Sequence, residues 1–113
     1  MLVSKQYPYC EIVISIGTWN FGEEAYLDTG FEGGLLIPEY LHREILASPT
    51  WSRLRVAHDA LVDARTWMGT IEIGDLRAVV EIAAMGSRFL LGREVMDRLL
   101  ICFDRGKEVR IEM

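Results

Sequence analysis

The stretch Ala25-Tyr26-Leu27-Asp28-Thr29-Gly30-Phe31-Glu32-Gly33-Gly34-Leu35-Leu36-Ile37-Pro38 decides how the rest of the chain is read. It runs from an apolar strand through Asp-Thr-Gly and a glycine-containing turn into a second apolar strand. One carboxylate thus stands between two runs of core-type residues. An acid placed there is costly to bury unless something nearby satisfies or uses it, which makes Asp28 the first candidate for chemistry. The tripeptide alone also fits an ordinary turn, because Asp and Gly favour turns for local reasons. Both readings stay open until the flanking chain is considered.

On the N-terminal side, residues 9–16 are β-branched and partly alternating, the pattern of a strand. Residues 17–22 hold Asn20 and two glycines and predict a loop or hairpin turn. The strand resumes over residues 23–27, so an antiparallel hairpin is expected to deliver Asp28 at its end. On the C-terminal side, residues 34–37 form a short apolar strand. Pro38 suits the first turn of a helix with Glu39 near its positive end. Leu41, Ile45 and Leu46 would give that helix one apolar face, and Ser48-Pro49 would end it.

Residues 51–68 read as two strands joined by an exposed tip at Ala57-His58-Asp59-Ala60, although a helix is the alternative because residues 60–64 contain no breaker. Adjacent strand residues point to opposite faces, so His58 and Asp59 make a poor catalytic pair. Gly74-Asp75 signals a hairpin between residues 70–73 and 76–83. Residues 89–92 form a short apolar strand ending in Gly92. A helix with Val95, Met96 and Leu99 on one face follows, then a strand over 100–103, a turn, and an alternating strand to the C-terminus. The sum is a mainly β single domain, residues 1–113, with two short helices.

Composition bounds the function. One hundred and thirteen residues make one core, and 50% apolar with 26% charged residues is ordinary for a globular chain. A net charge of −5 argues against a nucleic-acid binder, which needs a basic face. Cys10 and Cys102 lie in apolar strand-like runs and are expected to be small buried hydrophobes. They form neither a disulfide framework nor a zinc spacing. The two histidines fall in unrelated segments, so no metal site and no cofactor is expected. The N-terminus lacks the apolar region of a signal peptide, and no apolar run approaches a membrane span. A soluble cytoplasmic setting without membrane contact is expected.

The order of these signals resembles the retroviral-type aspartic proteases (retropepsins), most closely their bacterial single-domain relatives. The resemblance rests on Tyr26-Leu27-Asp28-Thr29-Gly30-Phe31 with the glycine loop and strand that follow, a hairpin flap, and Phe89-Leu90-Leu91-Gly92-Arg93-Glu94-Val95-Met96-Asp97-Arg98-Leu99 leading into a helix. Two such signatures in the right order are far more specific than either alone, and the similarity covers residues 11–103. There are departures. Phe31 stands where retroviral enzymes have Ala or Ser, as in the bacterial relatives, and the tip Ala57-His58-Asp59-Ala60 lacks the glycines of a supple flap.

The resemblance implies a closed β-barrel, one half of an acid protease. That family needs two facing aspartates, and this chain has one Asp-Thr-Gly and no Asp-Ser-Gly. The implied enzyme is therefore a homodimer with Asp28 of each copy meeting on a two-fold axis. In aspartic proteases two carboxylates that close share one proton. The ionised member then activates a water for attack on a peptide carbonyl. Thr29 would bond across the dimer axis, and Gly30 would aim its N–H at the carboxylate. Leu27, Leu91 and Gly92 would support the site, and Ala57, His58, Asp59 and Ala60 would cover a peptide or protein substrate. The terminal strand, residues 107–113, would interleave with its copy, or else form an ordinary edge strand. The alternative function is a non-catalytic dimerisation or peptide-binding module with the same fold. A metal or thiol hydrolase finds no support.

Overall fold

The computed structural model describes residues 1–112, with the side chain of Ala57 left aside. The chain folds as a mainly β protein whose centre is a closed six-stranded barrel. In chain order the strands are β1 (Leu2–Ser4), β2 (Tyr9–Ile16), β3 (Trp19–Leu27), β4 (Leu35–Ile37), β5 (Thr50–Arg55), β6 (Leu61–Ile73), β7 (Leu76–Ala84), β8 (Leu90–Leu91), β9 (Leu100–Asp104) and β10 (Glu108–Glu112). The helical segments are short, a 3-10 segment Glu39–Glu44 and the α-helix α1 (Arg93–Met96); Ala57–Asp59 is a tight turn whose backbone is not right-handed helical.

Alternation drives the barrel. In β2, Cys10, Ile12, Ile14 and Ile16 are buried while Glu11 and Val13 face out. Ile71, Ile73, Val80, Ile82 and Leu91 fill the same interior. The ring runs β2-β3-β8-β4-β7-β6 and closes by pairing β2 with β6, with Ile14 opposite Ile71. Closure leaves no barrel edge exposed. At the seam β2 and β6 pass too close for a side chain. A Cβ at Gly69 would lie 2.8 Å from the Ser15 carbonyl oxygen.

β5 hangs on β6 outside the ring, from Thr50 opposite Thr66 to Arg55 opposite Leu61. A second, smaller core of Leu36, Ala64 and Ala83, with Phe31, Leu54, Met85 and Leu90 packed against it, joins this hairpin to the barrel wall. Thr66 is buried there, donating to the Thr50 carbonyl and sharing a hydrogen bond with Ser52.

β1, β10 and β9 form a separate antiparallel sheet in that order. The alternative given for the C-terminal strand, an ordinary edge strand, is therefore corrected, and the expected pairing of that strand with its copy finds no free edge on it. β10 is the central strand of this sheet, flanked on both sides within its own chain, and the open edges belong to β1 and β9. Met113, the last residue of the expected strand, lies outside the described residues. β1 itself carries no pattern long enough to predict it.

Four further expectations are corrected. β3 begins at Trp19, so only Gly17 and Thr18 turn the chain and Gly22 lies inside the strand. Trp19 stacks on Phe21 and Phe21 on Phe89, contacts that draw the expected loop into the sheet. The helix after Pro38 is a 3-10 segment that ends before Ile45, and Leu46 is 88% exposed rather than on an apolar face. The later helix is a single turn, Arg93–Met96, with Leu99 half-buried beyond it. Cys102 is exposed, because the inward positions around it belong to Ile101 and its neighbours on β10. Among the described residues no helix is long and apolar enough to cross a membrane.

Candidate active site

Asp28 directly follows the last residue of β3, and the strands on either side of its loop do not pair with each other. β8 is inserted between them, parallel to β3 through Tyr26–Leu90 and Leu27–Leu91, and antiparallel to β4 through Leu35–Leu91 and Leu36–Leu90. The segment 28–34 is therefore an arch over a third strand, not the simple turn that Asp and Gly alone allow. A tight turn needs only two or three residues; an arch must clear a strand spacing on each side of the inserted strand.

Backbone hydrogen bonds fix this arch from below. The Asp28 N–H donates to the Leu91 carbonyl at 3.0 Å, and the Phe31 N–H to the Asp28 carbonyl at 3.2 Å. Three successive amides at the start of α1 bind the far side. Gly92 donates to Gly34 at 2.8 Å, Arg93 to Phe31 at 2.8 Å, and Glu94 to Gly33 at 3.2 Å. Gly92 is a close-approach glycine. A Cβ there would overlap the Gly33 carbonyl oxygen and come within 2.6 Å of the Phe31 ring. Leu27 and Leu91 lie in the barrel core as dry walls under the arch.

The Asp28 side chain is half-buried, and its Oδ1 accepts the Gly30 N–H at 2.9 Å. A Cβ at Gly30 would sit 3.3 Å from that oxygen, so glycine leaves the carboxylate unobstructed. Thr29 and Gly30 are exposed. Beside Asp28 opens a cleft of about 420 Å³. Its walls are Asp28, Gly30 and Phe31 from the arch, Leu36 and Leu90 from the strands, Arg55 and Val56 from the β5–β6 hairpin, and Met85, Gly86, Ser87 and Arg88 from the β7–β8 loop. Asp28 carries the one carboxylate among these lining residues.

The hairpin tip stands over the neighbouring space rather than over Asp28. A second cavity of about 480 Å³, bounded by Phe31 and Gly33, is lined by Arg53, Arg55, Val56, His58 and Asp59. Ala60 closes the tip by accepting the Val56 N–H at 2.9 Å and lines neither cavity. His58 and Asp59 adopt left-handed backbone, φ 62° and 59°, without being glycine, a conformation that costs an ordinary residue about 1 kcal/mol or more. The tip is held in a defined turn, not in a glycine hinge. Of the expected flap residues, the structure brings His58 and Asp59 near the arch. Arg55, Val56 and the β7–β8 loop, which no sequence motif marks, are the ones that reach the Asp28 cleft.

On another side of the arch, Thr29 borders an open groove of about 520 Å³ with Arg93, Met96, Asp97, Leu99, Leu100, Ile101 and Phe103. Leu100 and Phe103 are 67% and 40% exposed there. Among the described residues no three His, Cys, Asp or Glu side chains gather where they could hold a metal ion. No protein family's sequence profile matches the chain, and no curated protein matches it.

Proposed function

We propose that the chain is one half of a homodimeric aspartic endopeptidase of the retropepsin-like type. The observation that carries this reading is the arch. The chain lifts a single carboxylate over an inserted strand, pins both ends of the loop with backbone hydrogen bonds, and leaves the acid facing a cleft. An ordinary turn needs none of that. The cleft supplies one carboxylate and the mechanism needs two, so the second Asp28 comes from a second copy. Thr29 and the groove that carries exposed Leu100 and Phe103 beside Arg93 and Asp97 lie next to the arch and suit the contact between copies, since exposed apolar residues grouped together mark such surfaces. Two facing Asp28 carboxylates then share one proton. The ionised member deprotonates a water between them, and the protonated one donates to the carbonyl oxygen under attack.

The second reading, a non-catalytic peptide-binding module, is favoured by one observation, the glycine-free tip at His58-Asp59. One substitution separates the two. Asp28→Asn preserves shape and the acid's backbone contacts but cannot serve as a base. Peptide cleavage by the purified protein is expected to fall by about a thousandfold or more, with dimer content and thermal unfolding unchanged. Cleavage that survives the substitution rules out the enzyme reading.

A further inference from the structure

Arg88 is a cation held in place without an anion. Its Nη2 donates to the Tyr9 hydroxyl at 3.1 Å, and its guanidinium lies 4.5 Å over the Tyr26 ring. Tyr9 and Tyr26 face each other across β2 and β3 with their rings in edge contact. The arginine therefore rests on a rigid aromatic platform built from the barrel itself. Among the described residues no carboxylate forms an ion pair with it, whereas Arg55, the other arginine on the cleft, is paired with Asp59 at 3.5 Å. A guanidinium offers five N–H donors in a fixed fork. One is used on Tyr9, and the rest remain for a ligand in the cleft that Arg88 lines.

The surroundings make this placement selective. The floor beside Arg88 is apolar, formed by Leu36, Met85 and Leu90. The chain as a whole carries −5 and repels anionic peptides at long range. Any preference for acid must then be local, and Arg88 is the unanswered positive charge at the site. We infer that the cleft selects peptides bearing a carboxylate close to the apolar residue that fills its floor, with Arg88 as the specificity-determining group and Tyr9 and Tyr26 as its positioning residues. Pre-orienting the fork lowers the ordering cost of that contact. The inference rests on the proposed peptide substrate, so it is tested by binding and not by turnover.

The probe is a set of decapeptide pools with a central Leu-Phe pair and degenerate flanks free of acid. One pool has Glu fixed two residues from the pair and an amidated end, one has Gln there with the same end, and one has Gln with a free C-terminal carboxylate. Calorimetry with the Asp28→Asn chain is expected to show about tenfold tighter binding of a carboxylate pool than of the amidated Gln pool. The Glu pool gains if the ligand is a side chain, and the free-acid pool gains if it is a chain end. The ratio should fall to about one in the additional variant Arg88→Leu and part-way in Tyr9→Phe, and shrink as salt is raised. Equal binding of all pools, including none by any, or a ratio that survives Arg88→Leu, overturns the inference. Cleavage of the same pools by the wild-type protein reports separately on the catalytic reading: acid-selective binding without cleavage sinks the enzyme and leaves Arg88 in its role.

Discussion

The barrel and the terminal sheet follow opposite plans. The barrel has six strands, no free edge and a dry interior in which Ile14, Ile71, Ile73 and Ile82 are fully buried. Cys10 lies in that interior, and burial pushes its thiol up to about 12, with Glu11 and Glu24 adding to the effect. The terminal sheet has three strands and two open edges; besides buried Val109 and Ile111 and the exposed apolar Leu100 and Phe103, its surface carries a network of charges. Lys5 pairs with Glu108 at 2.7 Å, Arg110 with Asp104 at 2.7 Å and with Glu108 at 3.1 Å, and Arg105 with Asp104 at 2.7 Å. Cys102 on this sheet is exposed and accepts a hydrogen bond from Arg110. Under the proposed homodimer the two regions would do different work: the closed barrel holds Asp28 in one fixed place, and the open sheet beside Thr29 takes part in joining two copies.

Glycine substitutions break the comparison most sharply. Gly92→Ala forces a Cβ into the Gly33 carbonyl and the Phe31 ring, both parts of the Asp28 arch. It is expected to lower the unfolding free energy by about 3 kcal/mol. Gly106→Ala in the terminal sheet meets no atom within 4 Å and bears only the strain of φ 75°; about 1 kcal/mol is expected. Denaturant unfolding of the two variants should rank them in that order, and equal losses would mean the arch is less tightly packed than the geometry shows.

Acid is the next lever, and it acts on one region. Hydrogen bonds from Arg105 and Arg110 hold the Asp104 carboxyl below its ordinary value, and those from Lys5 and Arg110 do the same for Glu108. A carboxyl lowered on folding stabilises fully above its unfolded value, about 3.9 for Asp and 4.3 for Glu. That contribution disappears as pH falls through the lower folded value. Hydrogen exchange, corrected for intrinsic rates, should show β9 and β10 amides losing protection below about pH 4 before those of β6 and β7. Barrel amides opening first would contradict the division.

Thiol labelling sharpens the contrast without disturbing the fold. Iodoacetamide at pH 8 is expected to modify Cys102 in the native protein and Cys10 only after unfolding, because the thiolate is the reactive form and burial suppresses it at Cys10. Mass spectrometry finding Cys10 modified as quickly as Cys102 would show that the barrel interior is not closed.

Local patterns made much of the barrel legible. Cys10, Ile12, Ile14 and Ile16 alternate without interruption, and the expected strand over residues 9–16 has the bounds of β2. Gly74-Asp75 likewise marks the turn between β6 and β7. What could not be read depends on distant partners. No residue near Asp28 says that Leu90 and Leu91 pass between its flanking strands. Only the family resemblance, which implies that the strand ending at Gly92 passes close beneath the Asp28 loop, points there. β1 exists because Leu2, Val3 and Ser4 find β10 at the far end of the chain. Cys102 shows how thin the margin is: side chains alternate, so its neighbour Ile101 turns inward and it turns out. In the candidate site, Asp28, Gly30 and Gly92 carry a local signature, whereas Arg88 reaches the cleft from a loop whose only local mark is the break at Gly86-Ser87.

The central claim is that two copies of Asp28 make one site, and subunit mixing tests it most directly. Wild-type and Asp28→Asn chains are unfolded together in equal amounts, refolded, and assayed for peptide cleavage. If both copies must supply Asp28, random pairing leaves about a quarter of the wild-type activity per total chain. Activity of about one half, in simple proportion to the wild-type share, would mean that each chain acts alone and would contradict the account.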